Sequence, residues 1–282
     1  MSSPSLLTVA QALQQAAQQG LARVDAHMLL LHVVGQAAHQ RAWLITHDND
    51  ALTAEQATLW HTLCQRRLAG EPVAYLTGSK EFYGLPLQVD ARVLDPRPDT
   101  ETLVDWALEL LPGTGQGLRL ADLGTGSGAI ALALQSQRPA AEVWAVDASA
   151  DALAVAGANA QRLQLPLHLV QSHWLQALTD HFDAIVTNPP YIRDDDPHMP
   201  ALRHEPRQAL TSGPDGLDDI RSIVATAPAY LKPNGWMLIE HGWDQAEDVR
   251  ALLSAQGFAQ VQSRKDLAGI ERASGGQWPS VK

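Results

Sequence analysis

The chain has 282 residues, room for two domains or one large one at roughly 100 to 200 residues each, so a single small module is excluded. Apolar residues make up 45% and charged residues 18%, enough apolar material for a sizeable core and against wholesale disorder. Residues 1–80 carry five basic and five acidic side chains, so the net charge of -11 falls on the remainder, the wrong sign for the basic stripe that nucleic-acid phosphates require.

No apolar run reaches the roughly 20 residues of a membrane span. Met1 to Thr8 lack the basic flank and cleavage pattern of a signal peptide, which makes the cytoplasm the expected location. The single cysteine, Cys64, has no partner for a disulfide, and the 11 histidines form no cluster at zinc-ligand spacing. Neither a disulfide nor a structural metal is expected.

Residues 1–70 have helical periodicity. Leu6, Val9, Ala10, Leu13, Ala16 and Ala17 form one apolar face, and Leu21, Val24, His27, Met28, Leu31 and Val34 suggest a second. Thr53 with Gln56 is a capping-box pattern opening a helix that carries Leu59, Trp60, Leu63 and Leu68. From Glu71 to Val89 alternating apolar residues with Gly78 and Gly84 predict a hairpin, and Asp99 to Leu111 predict a helix ended by Pro112 and Gly113. Beyond Leu118, short apolar strands (118–123, 143–146, 167–170, 184–187, 237–239) alternate with helical stretches (129–137, 150–163, 217–230, 245–253). That alternation predicts an α/β fold with a mostly parallel sheet, whose ligands bind beyond the strand carboxyl ends.

Three motifs sit at predicted strand ends. Gly124-Thr125-Gly126-Ser127-Gly128 follows the first strand, where alternate glycines let the backbone turn sharply and approach a ligand. The spacing differs from G-x-G-x-x-G and from a P-loop, and alone it is also compatible with a structural turn. Asp147 ends the second strand, where a carboxylate can accept from both hydroxyls of a ribose, or cap the helix that begins near Ala150. Asn188-Pro189-Pro190-Tyr191 ends the fourth. Its prolines remove two backbone donors, leaving carbonyl acceptors beside the Asn188 amide and the flat Tyr191 ring, a set able to hold a planar amino group.

Together these residues resemble S-adenosylmethionine-dependent methyltransferases of the Rossmann-like class that act on amino groups conjugated to planar systems. Glu71 to Gly78, Glu81 to Leu85, Pro96-Arg97-Pro98-Asp99-Thr100-Glu101, Glu205-Pro206 with Ala209-Leu210, and Gly213 to Leu217 are similar to the peptide chain release factor glutamine methyltransferase family. The resemblance implies a class I methyltransferase domain (99–282) joined by a hairpin (71–98) to a small N-terminal helical domain (1–70) for substrate recognition, in a monomeric enzyme. It further implies that Gly124 to Gly128 and Asp147 hold S-adenosyl-L-methionine, with Trp174 near the adenine. Asn188 would touch cofactor and substrate, and Pro189, Pro190 and Tyr191 would hold the substrate. His173 stands where the family usually has Asp, and Asp95 where it usually has Ile.

The implied reaction methylates the N5 amide nitrogen of the glutamine in the Gly-Gly-Gln motif of class-1 release factors, leaving S-adenosyl-L-homocysteine, with no metal. An amide nitrogen is a poor nucleophile because its lone pair is delocalised; acceptors on Asn188 and Pro189 would bond both amide hydrogens and aim the nitrogen at the methyl group. The alternatives are an adenine-N6 nucleic-acid methyltransferase, opposed by the acidic charge, and a non-catalytic S-adenosylmethionine-binding interaction protein. Gly275-Gly276-Gln277 repeats the target tripeptide near the chain's own end, as short sequences do by chance.

Overall fold

The computed structural model describes residues 7–111 and 113–280, so Leu6 of the first expected helix face and the terminating Pro112 lie outside the described residues. Two compact units divide between Ser79 and Lys80.

The first unit is helical: α1 (Val9–Gln18), α2 (Arg23–Val33), α3 (Arg41–Thr46), α4 (Ala54–Leu68) and α5 (Val73–Thr77). The capping box at Thr53 forms as the sequence predicts, with Thr53 Oγ1 accepting from the Gln56 N–H and the Gln56 side chain answering to the Thr53 N–H. A second box joins Thr8 and Gln11. Two expectations fail here. The buried face of α2 is Ala26, Leu29, Leu30, Leu31 and Val33, while Val24 is half exposed, because the consecutive Leu29-Leu30-Leu31 carries apolar side chains around the helix and leaves the choice of face to its neighbours. Residues 73–77 are helix rather than hairpin: Pro72 precedes the first turn, and Gly78 stops it in the left-handed region at φ 68°.

The second unit begins with a two-stranded hairpin, β1 (Ser79–Phe82) and β2 (Leu85–Gln88), then α6 (Glu101–Leu110) after a 3-10 turn at Pro98–Thr100. It continues β3 (Arg119–Leu123), α7 (Ala129–Gln137), β4 (Glu142–Asp147), α8 (Ala150–Leu163), β5 (His168–Gln171), β6 (Phe182–Thr187), α9 (Asp218–Thr226), β7 (Leu231–Glu240), α10 (Ala246–Gln256), β8 (Ala259–Lys265) and β9 (Glu271–Gln277). The main sheet has the order β5-β4-β3-β6-β7-β9-β8. Strands β3 to β7 pair in parallel, and β9 runs antiparallel between β7 and β8.

Successive strand residues face opposite sides. Ala121, Leu123, Ile185, Met237 and Ile239 accordingly share one core with Ile220 and Ile223 of α9 and Val249 and Leu253 of α10. α7 packs against β3 and β4, and α6 against β6 to β9. The fully buried Asn159 of α8 pins β2: it accepts the Gln88 N–H at 2.7 Å and donates to the carbonyls of Gln88 and Ser127, both at 2.9 Å.

The sequence reading missed β8 and β9. Gly275-Gly276-Gln277 closes β9, where a Cβ on Gly275 would meet the Leu238 side chain and the Met237 carbonyl at 2.6 Å each. Close backbone packing therefore accounts for that glycine.

Candidate active site

Parallel pairing brings the carboxyl ends of β3 to β7 to one edge of the sheet, and every motif sits there. The chain leaves β3 through Gly124, Gly126 and Gly128 at φ +71°, +55° and +84°, a region other residues enter only with strain. A Cβ on Gly124 would lie 3.3 Å from the Trp174 ring and one on Gly128 3.2 Å from Ala156, whereas one on Gly126 would project into open space. Thr125 and Ser127 are buried. The Thr125 hydroxyl turns inward and donates to Asp122 Oδ2 at 2.6 Å, where the Ala131 N–H also arrives at 3.1 Å. Burial pushes the Asp122 carboxyl up to about 7 against those two bonds, and its Oδ1 has no partner.

Asp147, at the end of β4, accepts the Gly126 N–H on Oδ2 and the Ser149 N–H on Oδ1, both at 2.9 Å. Each oxygen keeps a free lone pair. The cap of α8 is Ser149, which accepts from the Ala152 N–H, so the capping alternative for Asp147 is excluded. A cavity of about 290 Å³ opens over this turn, lined among others by Gly124, Gly126, Asp147, His173, Trp174 and Asn188. The Trp174 indole is fixed by its Nε1–H donating to Asp219 Oδ1 at 3.2 Å, and Asp219 is itself held by the Ser212 hydroxyl at 2.7 Å. His173 meets the Trp174 ring edge to face, with centroids 5.8 Å apart.

A second cavity, of about 220 Å³, lies beyond β6 and is lined by Leu94, Arg97, Asn188, Pro189, Tyr191 and neighbouring apolar residues. Asn188 lines both cavities, while Pro189 and Tyr191 line the second and Pro190 the first. The Asn188 Nδ2 donates to Thr100 Oγ1 at 3.3 Å. The Tyr191 hydroxyl donates to Glu240 Oε1 at 3.4 Å; burial, then the Glu240 charge, hold that phenol well above its usual range.

Arg97 of the second cavity is held by Glu205 at 2.5 Å and by Asp95 at 3.4 Å, and Asp95 also pairs with Lys80 at 3.2 Å. The buried Asp95 carboxylate is thus compensated by two cations.

Comparison with known proteins agrees with this architecture. Residues 5–78 match the PrmC N-terminal domain and residues 102–215 the methyltransferase small domain. The chain is 50% identical over 264 residues to the release factor glutamine methyltransferase of Bordetella pertussis, covering 92% of this chain and 96% of that protein. This chain belongs to the release factor glutamine methyltransferase family. The relative from Burkholderia pseudomallei is 47% identical, with 98% of each chain covered. Among solved structures, the T. thermophilus 16S rRNA N2 G1207 methyltransferase in complex with AdoMet and guanosine shares the fold, with a TM-score of 0.55 and 22% identity over 71% of this chain and 49% of that one. Both the family and the fold are therefore those of methyltransferases.

Sequence reasoning passed over Asp219 and Glu240 and gave Thr100, quoted only within the Pro96 to Glu101 motif, no role in the site. Glu240 did carry a signal, an acidic residue directly after the apolar run Met237-Leu238-Ile239. The site roles of Thr100 and Asp219 are identifiable only from their partners, which lie 88 and 45 residues away in the chain.

Proposed function

We propose that this chain transfers a methyl group from S-adenosyl-L-methionine to the N5 amide nitrogen of the glutamine in the Gly-Gly-Gln motif of class-1 release factors. The observation that carries the reading is Asn188, which borders both the cavity over the glycine turn and the slot beside Pro189 and Tyr191. A group that must touch a donor and an acceptor at once belongs at such a junction.

The residues of the first cavity fit the cofactor. Asp147 has free lone pairs for a ribose diol, Gly126 leaves open the space a side chain would take, and the tethered Trp174 ring offers a flat wall to a base. Gly124, Thr125, Gly126, Ser127 and Gly128 shape the turn around the amino-acid portion. Bound there, the cofactor supplies an electrophilic methyl group.

In the slot, Asn188 Oδ1 and the Pro189 carbonyl accept the two hydrogens of the target amide, while the Tyr191 ring packs on its plane and Pro190 stiffens the turn. Bonding both hydrogens builds electron density on nitrogen and fixes its approach, and positioning of this kind supplies about 7 to 11 kcal/mol. No strong base is needed, because the methylated nitrogen releases its proton readily to solvent. The first unit recognises the protein substrate. The enzyme works as a monomer in the cytoplasm, where release factors act.

The test offers tritiated cofactor to a release factor, to its Gln→Glu variant and to single-stranded DNA in parallel. Label is expected on the first alone, since a carboxylate has no amide hydrogens and would press an anion against acceptors. Label on DNA and none on the release factor would assign the chain to adenine methylation, and no transfer to any of them would leave cofactor binding without catalysis.

A further inference from the structure

Glu240 ends β7 with 1% of its surface exposed, and no ion pair reaches it among the described residues. The cation facing it, Arg272 of β9, is shared between Asp266, to which its Nε and Nη2 donate at 3.2 and 3.1 Å, and Asp99, which lies 3.5 Å from Nη2. The groups facing the carboxylate are the Tyr191 hydroxyl from the loop after β6, Thr100 and Asp99 from the 3-10 turn before α6, and Arg272. His241 turns away to Gly242 O and the Ser274 hydroxyl. Burial pushes the Glu240 carboxyl up to about 7, while the adjacent Thr100 hydroxyl favours its ionised form. Glu240 Oε2 has no hydrogen-bond partner, so the neighbouring Thr100 hydroxyl has a free acceptor beside it.

Proton counting fixes the polarity of this chain. Thr100 Oγ1 accepts from Asn188 Nδ2, so the one hydroxyl proton of Thr100 is free for another acceptor, and an ionised carboxylate is acceptor only. With Nδ2 committed to Thr100, Oδ1 is the end of the Asn188 amide left for the slot. If Glu240 is protonated it becomes a donor, the Thr100 proton is released toward Asn188, and Oδ1 becomes the better partner for Thr100. The amide then turns its NH2 toward an incoming substrate amide, donor against donor.

We propose that Glu240 is a positioning residue which, through the Thr100 hydroxyl, holds the Asn188 amide with Oδ1 toward the slot. The inference rests on Asn188 being the acceptor for the substrate amide. It assigns Glu240 and Thr100 a part in the chemical step without contact with either substrate.

The experiment measures kcat and KM for a release factor between pH 6 and 8.5 with wild type, Glu240→Gln, Thr100→Val and Thr100→Ser, alongside cofactor affinity by calorimetry. Wild-type kcat should fall on the acid side of about pH 7 with a single ionisation. Glu240→Gln and Thr100→Val should each lose about three- to tenfold in kcat at pH 8, the equivalent of one net hydrogen bond. Both should lack the acid limb and keep wild-type cofactor affinity, and the double variant should lose no more than either alone. Thr100→Ser should restore both rate and limb. If Glu240→Gln does not fold, Thr100→Val alone decides. Wild-type transfer whose pH profile is unchanged by Thr100→Val defeats the relay; no transfer by wild type at any pH defeats the functional reading beneath it.

Discussion

The Asp147 carboxylate accepts the backbone N–H of Gly126 at 2.9 Å, so the end of one strand holds the glycine turn that follows its neighbour. One side chain therefore both shapes the cavity and offers it acceptors. Replacing Asp147 with Ala should weaken cofactor binding by about 1.5 to 3 kcal/mol, the value of a charge-assisted hydrogen bond. Asp147→Asn should fall between, since it keeps one acceptor for the Gly126 N–H. Calorimetry showing equal affinity for all three proteins would remove Asp147 from the cofactor site.

Gly275 should tolerate no side chain. A Cβ there meets the Met237 carbonyl and Leu238 at 2.6 Å and the Trp106 ring at 2.9 Å, so Gly275→Ala should cost about 1 to 3 kcal/mol of stability, the usual penalty of overpacking. Denaturant unfolding measures it. Gln277 is engaged by Asn234 O at 3.0 Å and by Gln260 at 2.5 Å. It should remain unmethylated when the protein is incubated with cofactor alone; a modified Gln277 in mass spectrometry would mean that β9 opens.

The glycine turn, Asp147 and the Asn188 to Tyr191 tetrad were legible because each needs residue types that few other local structures require: glycines in left-handed turns, a carboxylate at a strand end, paired prolines. The helices Ala129–Gln137 and Ala150–Leu163 were legible too, from composition and periodicity. β8 and β9 were not. Their residues, AQVQSRK and ERASGGQ, carry few β-branched or aromatic side chains, and pairing with β7 rather than propensity makes them strands. The grouping of Asn188, Thr100 and Glu240 was hidden for a different reason: the three come from separate segments that only the fold brings together, and none of them carries a local signature of the others.

Burial of Asp122 predicts a pH dependence of stability with a definite sign. Its carboxyl is pushed up to about 7 in the folded protein, against about 3.9 for an unfolded Asp. Between those values the folded state binds more protons than the unfolded state, so the Asp122 contribution declines as pH rises through the window and is level outside it. Asp122→Asn should remove that slope and keep the fold, since its Oδ1 can take the Thr125 and Ala131 bonds while the amide nitrogen replaces the oxygen that lacks a partner. Unfolding free energies from pH 4 to 8 that fall in parallel for the two proteins would show that Asp122 is ionised throughout.

The contact between Tyr191 and Glu240 separates two roles of the tyrosine. Its ring lines the slot, where it can pack against an amide plane, and its hydroxyl donates to Glu240 Oε1 at 3.4 Å, a bond that favours the ionised carboxylate. Tyr191→Ala removes both and should lower kcat/KM on the release factor by the larger factor, on the order of a hundredfold for a buried aromatic contact of about 3 kcal/mol. Tyr191→Phe keeps the ring, so its loss at pH 8 should be small. Without the hydroxyl, however, the Glu240 carboxyl loses a donor to its charged form and should titrate at higher pH, which moves the acid limb of kcat upward and makes the variant progressively worse than wild type toward pH 7. A Phe variant with a reduced rate but an unshifted limb would show that the hydroxyl acts on the substrate directly and leaves the ionisation of Glu240 to Thr100 and burial.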